Sequence, residues 1–180
     1  MTKKSTILGV IFFELAWWLC VLSGTLNLLT HPFLAHCYLL VLGLNIIYFW
    51  LAHVSMKEIL LAFILGTLGA LGDNLWVYSH FLYFPTHLIF ITGLPYWLIM
   101  LWFSFSLWFI KTDWLNQSYR NTVIFFIFGG PTAYYGAYKL KALFFAGDFY
   151  FIMTFIAFNW FIVGTLFFFG NRFLLSIGKK

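Results

Sequence analysis

The sequence predicts an all-α, polytopic membrane protein: one integral domain over residues 1–180, built as a six-helix transmembrane bundle with both termini cytoplasmic. Three observations predict it. Hydrophobic residues make up 63% of the chain and charged residues only 8%, where soluble domains carry about 25% charge. Six predominantly apolar stretches follow one another, each long enough to cross a hydrocarbon core of about 30 Å. The basic residues, finally, are distributed so that six crossings gather most of them on one side. The stretches occupy most of the chain and leave no room for a soluble nucleotide-binding, catalytic or nucleic-acid-reading domain.

The first helix is expected at about 7–27. Its basic start, Met1-Thr2-Lys3-Lys4, resembles a secretory signal, but the apolar run is longer than a signal core, carries Glu14 and lacks an A-x-A cleavage site. A retained helix is therefore expected. The breaker Thr30-His31-Pro32 precedes the second helix at about 33–53, and Met56-Lys57-Glu58 precedes the third at about 59–79. Residues 80–95 stay apolar but contain Pro85, Gly93 and Pro95, which predicts an interfacial or partly re-entrant loop. The fourth helix is expected at about 96–110, ending in the polar patch 111–121. The fifth and sixth follow at about 122–138 and 149–169.

Six crossings put Lys3, Lys4, Lys57, Lys111, Arg120, Arg172, Lys179 and Lys180 on the side of the termini, with Lys139 and Lys141 opposite. The positive-inside rule makes the first side cytoplasmic. The net charge of +5 is thereby explained by topology, and no nucleic-acid partner is expected. Cys20 and Cys37 lie in apolar runs without a C-x-x-C pair, so neither a disulfide framework nor a zinc knuckle is indicated. The two halves of the chain show no matching interruptions of the kind inverted repeats leave.

Two carboxylates fall within expected spans, where a charge near the bilayer centre costs about 2.5–3.5 kcal/mol and usually faces the bundle interior or water. Glu14 lies in the cytoplasmic half of the first helix and Asp73 in the outer half of the third. Asp73 ends the run Gly66-Thr67-Leu68-Gly69-Ala70-Leu71-Gly72-Asp73-Asn74. Gly66, Gly69, Ala70, Asp73, Val77 and His80 follow the i, i+3, i+4, i+7 pattern and share one face. Small residues there let a partner helix approach closely, with Asp73 and His80 aimed at it. Two roles stay open for Asp73: a carboxylate satisfied in a packing seam, and a proton-relay or substrate-contacting group.

Gly129-Gly130-Pro131 interrupts the fifth helix. Proline lacks an N–H and clashes with the preceding turn, which predicts a kink or short unwound segment. The amides beyond it would then form a half-helix N-terminus suited to polar oxygens, and Gly129, Ala133 and Ala137 repeat as a packing face. A purely architectural kink is the other reading. His31, His36, His80 and His87 fall on the outer side and His53 near the cytoplasm, but no H-x-x-x-H or H-x-x-E spacing occurs, so no metal is expected. Glu14, Trp17, Trp18 and Val21 share a face suited to helix packing or to stacking on a ring-bearing ligand. Tyr134, Tyr135 and Tyr138 fit an outer aromatic belt. No G-x-S-x-G, H-E-x-x-H, P-loop or G-x-G-x-x-G pattern is present.

Several of these segments carry a resemblance, in order: Glu14-Leu15-Ala16-Trp17-Trp18, Gly66 to Asp73, Pro95-Tyr96-Trp97-Leu98 with Leu101-Trp102, and Gly129-Gly130-Pro131-Thr132-Ala133-Tyr134. From about Ile11 to Phe168 the chain resembles a family of small bacterial inner-membrane proteins classed as a domain of unknown function. Members typically carry a polar threonine-asparagine-histidine-serine stretch ending the fourth helix. Here that region reads Trp108-Phe109-Ile110-Lys111-Thr112, so any role of that stretch does not transfer. The resemblance implies the inner membrane and, because members are often encoded beside lipid-modifying enzymes, an envelope-lipid context. It assigns no reaction, cofactor or catalytic residue.

The leading expectation is thus a component of membrane-lipid modification, with a catalytic role left open. Asp73 and Glu14 are its candidate catalytic residues, since acid–base chemistry on a lipid needs a carboxylate. Asn74, His80, His36, Gly129, Gly130, Pro131 and Tyr135 are candidate ligand-lining residues. No cofactor is indicated. The expected partners are the lipid bilayer, a lipid or small apolar ligand, and another membrane protein. The alternatives are a small transporter or membrane-embedded substrate-binding subunit, and a non-catalytic membrane scaffold.

Overall fold

The computed structural model describes residues 3–25, 36–85 and 93–177, and the side chains of 3–6 and 174–177 fall outside that description. The described chain is mostly helical, with seven helices: α1 (Lys3–Ser23), α2 (Tyr38–Leu51), α3 (Met56–Tyr78), α4 (Tyr96–Ile110), α5 (Asp113–Asn116), α6 (Tyr119–Lys139) and α7 (Phe149–Ile177). Two strands, β1 (Leu82–Tyr83) and β2 (Phe144–Phe145), pair antiparallel, Leu82 opposite Phe145 and Tyr83 opposite Phe144. Met56–Tyr78 and Phe149–Phe173 are long and apolar enough to cross a membrane. At 14 and 15 residues, α2 and α4 are only about 21–23 Å long at 1.5 Å per residue.

Local sequence explains where the helices start. Ser55 caps α3 in a reciprocal capping box with Glu58, which satisfies two otherwise unpaired amides. Ser118 accepts a hydrogen bond from the Asn121 amide at the start of α6. Pro95 stands just before α4, where its missing N–H is not needed by the helix. The Ser23 hydroxyl accepts from the Tyr38 amide and donates to the Leu19 carbonyl, which ties the end of α1 to the start of α2.

The fold is organised around α4. It packs against α1, α2 and α3, and its residues from Ser104 to Ile110 are buried without a break. A helix that is apolar all round belongs in a core. Here Phe105 sits among Phe109, Phe126, Trp160 and Phe167, with ring centroids 5.3–6.5 Å apart. Helices α6 and α7 pack along each other, and α7 also reaches α3. At one end, Lys111 Nζ lies 2.8 Å from Glu58 Oε1 and 3.3 Å from the His53 carbonyl, while Arg172 reaches the Gln117 carbonyl. At the other end, the β1–β2 pair joins the segment after α3 to the segment before α7.

Two expectations need correction. Helix α6 runs through Pro131 without an unwound segment, so no half-helix N-terminus forms there. The Thr132 hydroxyl donates to the Phe128 carbonyl at 2.7 Å, a side-chain bond to the i−4 carbonyl of the kind that often bends a helix. In the 80–95 region, residues 82–83 form a strand rather than loop throughout, and 86–92 lie outside the described residues.

Candidate functional site

Of the five acidic residues, only Asp73 is buried, at 1% exposure. Helix α3 carries it inward on the face Leu65, Gly69, Asp73. Its carboxylate accepts from the Trp102 indole N–H of α4 at 2.5 Å and from the Tyr134 hydroxyl of α6. Three helices are therefore joined at one side chain. Hydrogen bonds to an ionised acceptor contribute about 1.5–3 kcal/mol each, and leaving a buried partner unpaired costs a similar amount.

Two glycines make the cluster possible. A methyl group at Gly69 would lie 2.2 Å from the Trp102 ring, and one at Gly130 would lie 2.1 Å from the Trp160 ring. Any side chain at either position would displace an indole. Seated this way, Trp102 and Trp160 stack at 4.9 Å with an interplanar angle of 29°. An apolar cavity of about 50 Å³ adjoins them, bounded by Trp17, Trp97, Leu101, Ala133, Ala137 and Leu143 among others.

The adjacent face of α3 is different. Gly66, Ala70 and Asn74, at i, i+4 and i+8, line a groove of about 440 Å³ walled by Leu42 of α2 and by Ile99, Met100 and Phe103 of α4. That volume falls within the roughly 300–1,000 Å³ range of small-molecule sites. The groove wall is almost entirely hydrocarbon; Thr67 turns its hydroxyl back to the Phe63 carbonyl at 2.8 Å. Asn74 is the exception: its Oδ1 is buried and has no hydrogen-bond partner.

Other candidate residues do not join these sites. Glu14 is exposed on α1 and contributes nothing to the Asp73 cluster. On the same helix Trp17 and Val21 turn into the aromatic cavity, while Trp18 is exposed. His80 is exposed in a left-handed turn (φ 59°) just past the end of α3, so it does not share Asp73's inward aim. His36 is exposed, with its ring 6.4 Å from that of Tyr38. His31 and His87 lie outside the described residues. Gly129 and Pro131 are half-buried, and a methyl at Gly129 would meet only Phe125 of its own helix. Tyr135 is exposed beneath the Lys139 ammonium, 5.2 Å from the ring centroid. Among the described residues, no three His, Cys, Asp or Glu side chains come together in a metal-binding arrangement.

The packed face of α6 is Phe126, Gly130, Tyr134 and Ala137; of the expected stripe Gly129, Ala133 and Ala137, Ala137 lies on it, Ala133 borders the aromatic cavity and Gly129 is only half-buried. Sequence reasoning missed Trp102 and Tyr134 as partners of Asp73, and Trp160 as the ring packed against both. The signal was present: Gly130, Tyr134 and Ala137 repeat at i, i+4, i+7, and a glycine four residues before a polar residue recurs in Gly69–Asp73 and Gly130–Tyr134.

A family model described as "Protein of unknown function (DUF2878)" matches residues 6–166. The chain belongs to this family. No curated protein and no solved structure matches it. The match spans α1 through most of α7, so it includes both the Asp73 cluster and the groove.

Proposed function

We propose that this DUF2878 protein is a lipid-binding component of membrane-lipid modification in the bacterial inner membrane. Its six long helices cross the bilayer with both termini cytoplasmic. The groove beside Gly66, Ala70 and Asn74 carries the proposal: its walls are hydrocarbon, and its volume suits a lipid chain. The clustering of Lys57, Lys111, Arg120 and Arg172 near the 53–58 and 111–117 turns supports the orientation. The outer surface of α2, where Leu39, Leu40, Ile46, Ile47 and Trp50 are exposed, supports contact with lipid, since such a patch would be a liability in water. In this proposal Asp73 holds α3, α4 and α6 in register and does not react with the lipid. Glu14 and Asp73, far apart in environment, do not act as a catalytic pair.

A second proposal, a membrane-embedded binder of a small ring-bearing molecule, draws support from the aromatic cavity between Trp17, Trp97 and Trp160. Comparative lipidomics of deletion and wild-type cells separates the two. The lipid proposal expects an altered profile that the wild-type gene restores and the groove-filling Ala70→Trp protein does not. An unchanged profile in the deletion strain overturns it.

A further inference from the structure

We propose that the bundle holds a single ordered water molecule between α1, α2 and α4, bridging the Tyr48 hydroxyl and the Asn45 carboxamide oxygen. The site shares no lining residue with the groove and does not depend on the lipid-binding reading. Its construction begins at Gly9. A methyl group there would lie 3.1 Å from the Tyr48 hydroxyl and 2.9 Å from Trp108 Cδ1, so the bare glycine lets α2 and α4 bring both rings against α1. Tyr48 packs on Phe12 with ring centroids 5.5 Å apart, which holds its hydroxyl inside the bundle. Asn45 and Ser104 stand about 9 Å inward from the helix ends at Leu51 and Ile110. The Ser104 hydroxyl donates to the Met100 carbonyl at 2.9 Å. With that proton committed, Asn45 meets Ser104 through its amide N–H, at 2.8 Å, and its oxygen is left over. A pocket of about 10 Å³ remains among these groups, bounded by Phe13, Asn45, Tyr48, Ser104 and Trp108 among others.

A water molecule in a protein interior needs about 10–15 Å³ and two to four polar partners. The pocket supplies both. Among the described residues, the Tyr48 hydroxyl makes no hydrogen bond and Asn45 uses only its N–H. Both oxygens keep open surface, and part of the pocket wall is polar. The Trp108 indole N–H is also unpaired, but packing seals it off and it takes no part. The water donates to Asn45 Oδ1 and exchanges a second bond with Tyr48 Oη, while Ser104 Oγ offers a further lone pair. Leaving a hydroxyl and an amide oxygen unpaired inside the bundle is costly, and a bridging water is nearly as good as a direct bond. The aromatic cavity on the other side of Phe13 is the contrast. It is larger, yet its wall has almost no polar surface, and an apolar cavity stays dry.

Hydroxyl-radical footprinting of the whole chain in detergent micelles, read by mass spectrometry, tests the site, because radicals formed from a bound water oxidise the side chains that touch it. Tyr48 and Tyr134 give an internal comparison: both are buried, at 4% and 6% exposure, but Tyr134 spends its hydroxyl on Asp73. Tyr48 is expected to oxidise about tenfold faster than Tyr134, since only Tyr48 touches a water. Asn45→Leu removes a partner and fills the pocket, and is expected to bring Tyr48 down to the Tyr134 rate with the elution volume unchanged. Brief mixing of the wild-type protein with heavy-oxygen water before irradiation gives a reading that needs no variant. Tyr48 is expected to take up the heavy label later than the exposed Tyr150, because an ordered water exchanges slowly. Equal oxidation of Tyr48 and Tyr134 in the wild-type protein overturns the proposal. A fast Tyr48 rate that survives Asn45→Leu, or heavy label reaching Tyr48 as early as Tyr150, overturns it too, by tracing the radicals to bulk water.

Discussion

Two neighbouring faces of α3 begin with the same kind of sequence and end in opposite structures. Gly69 and Asp73 face inward, where the missing side chain at Gly69 admits the Trp102 indole and Asp73 accepts its N–H. Gly66, Ala70 and Asn74 are one step round the helix; Gly66 lies against the α4 backbone at Trp102 and Phe103, and all three border the open groove. A small residue thus has two outcomes. It admits a large partner when a ring inserts over it, and it leaves a groove when the facing side chains, here Leu42, Ile99, Met100 and Phe103, line the space without filling it. The polar residue closing each run follows suit: Asp73 is saturated by two donors, whereas Asn74 keeps an unpaired oxygen.

The largest effect expected from breaking this contrast is at Asp73. Asp73→Leu leaves the Trp102 N–H and Tyr134 O–H unpaired in the core, and a loss of about 3–5 kcal/mol is expected, read as a fall in melting temperature in detergent. Adding Trp102→Phe and Tyr134→Phe removes the orphaned donors and is expected to recover part of that loss, because replacing all partners with apolar groups is less costly than stranding them. Failure of the triple variant to recover would mean that the cluster does more than join helices. Asn74→Leu, by contrast, is expected to change stability by less than about 0.5 kcal/mol.

Next in size is the pair of adjacent small residues. Gly69→Ala forces a methyl group to within 2.2 Å of the Trp102 ring, and overpacking of this kind costs about 1–3 kcal/mol. Ala70→Leu fills open groove instead, so its melting temperature is expected to stay near the wild-type value while lipid retained through purification falls. Equal destabilisation by the two substitutions would remove the distinction between the faces.

Much of the helical layout was legible in the sequence, because it depends on local signals. Ser55 with Glu58 marks the start of α3, and Pro95 marks the start of α4. At Pro131 the unwound segment does not form, because the helix continues through the proline and gives up the one backbone hydrogen bond that its missing N–H would have made. The burial of Asp73 followed from its cost in hydrocarbon, but its partners did not. Trp102 and Tyr134 lie 29 and 61 residues away, and only the packing of α4 and α6 onto α3 identifies them. Nor could helical periodicity separate Gly69 from Ala70, since adjacent positions differ by only 100° and the rings opposite decide which is covered. Glu14 was singled out by the same burial cost as Asp73, yet α1 turns it outward. Periodicity assigns a face to a residue without saying which face is covered.

A smaller effect is expected at the charged end of the bundle. Lys111 bridges Glu58 and the His53 carbonyl, holding the turn before α3 against the end of α4. The groups are partly exposed, so Lys111→Ala is expected to cost no more than about 1 kcal/mol, and added salt should narrow the difference from wild type. A salt-insensitive loss would indicate that the lysine stem, not its charge, supplies the contact.

The smallest effect is expected at Glu14, and it bears most directly on catalysis. An exposed carboxylate on α1 has no structural obligation comparable to that of Asp73, so Glu14→Gln is expected to shift stability by less than about 0.5 kcal/mol. If lipid binding rather than acid–base chemistry is the function, the variant also restores the lipid profile of a deletion strain in full. The informative comparison is with Asp73→Asn, which retains shape but replaces one acceptor oxygen with a donor facing Trp102 or Tyr134. A deficit in the Asp73 variant that scales with its loss of folded protein assigns that carboxylate to architecture. A deficit in both variants, with both fully folded, would instead require the two acids to act on a common substrate despite their different surroundings.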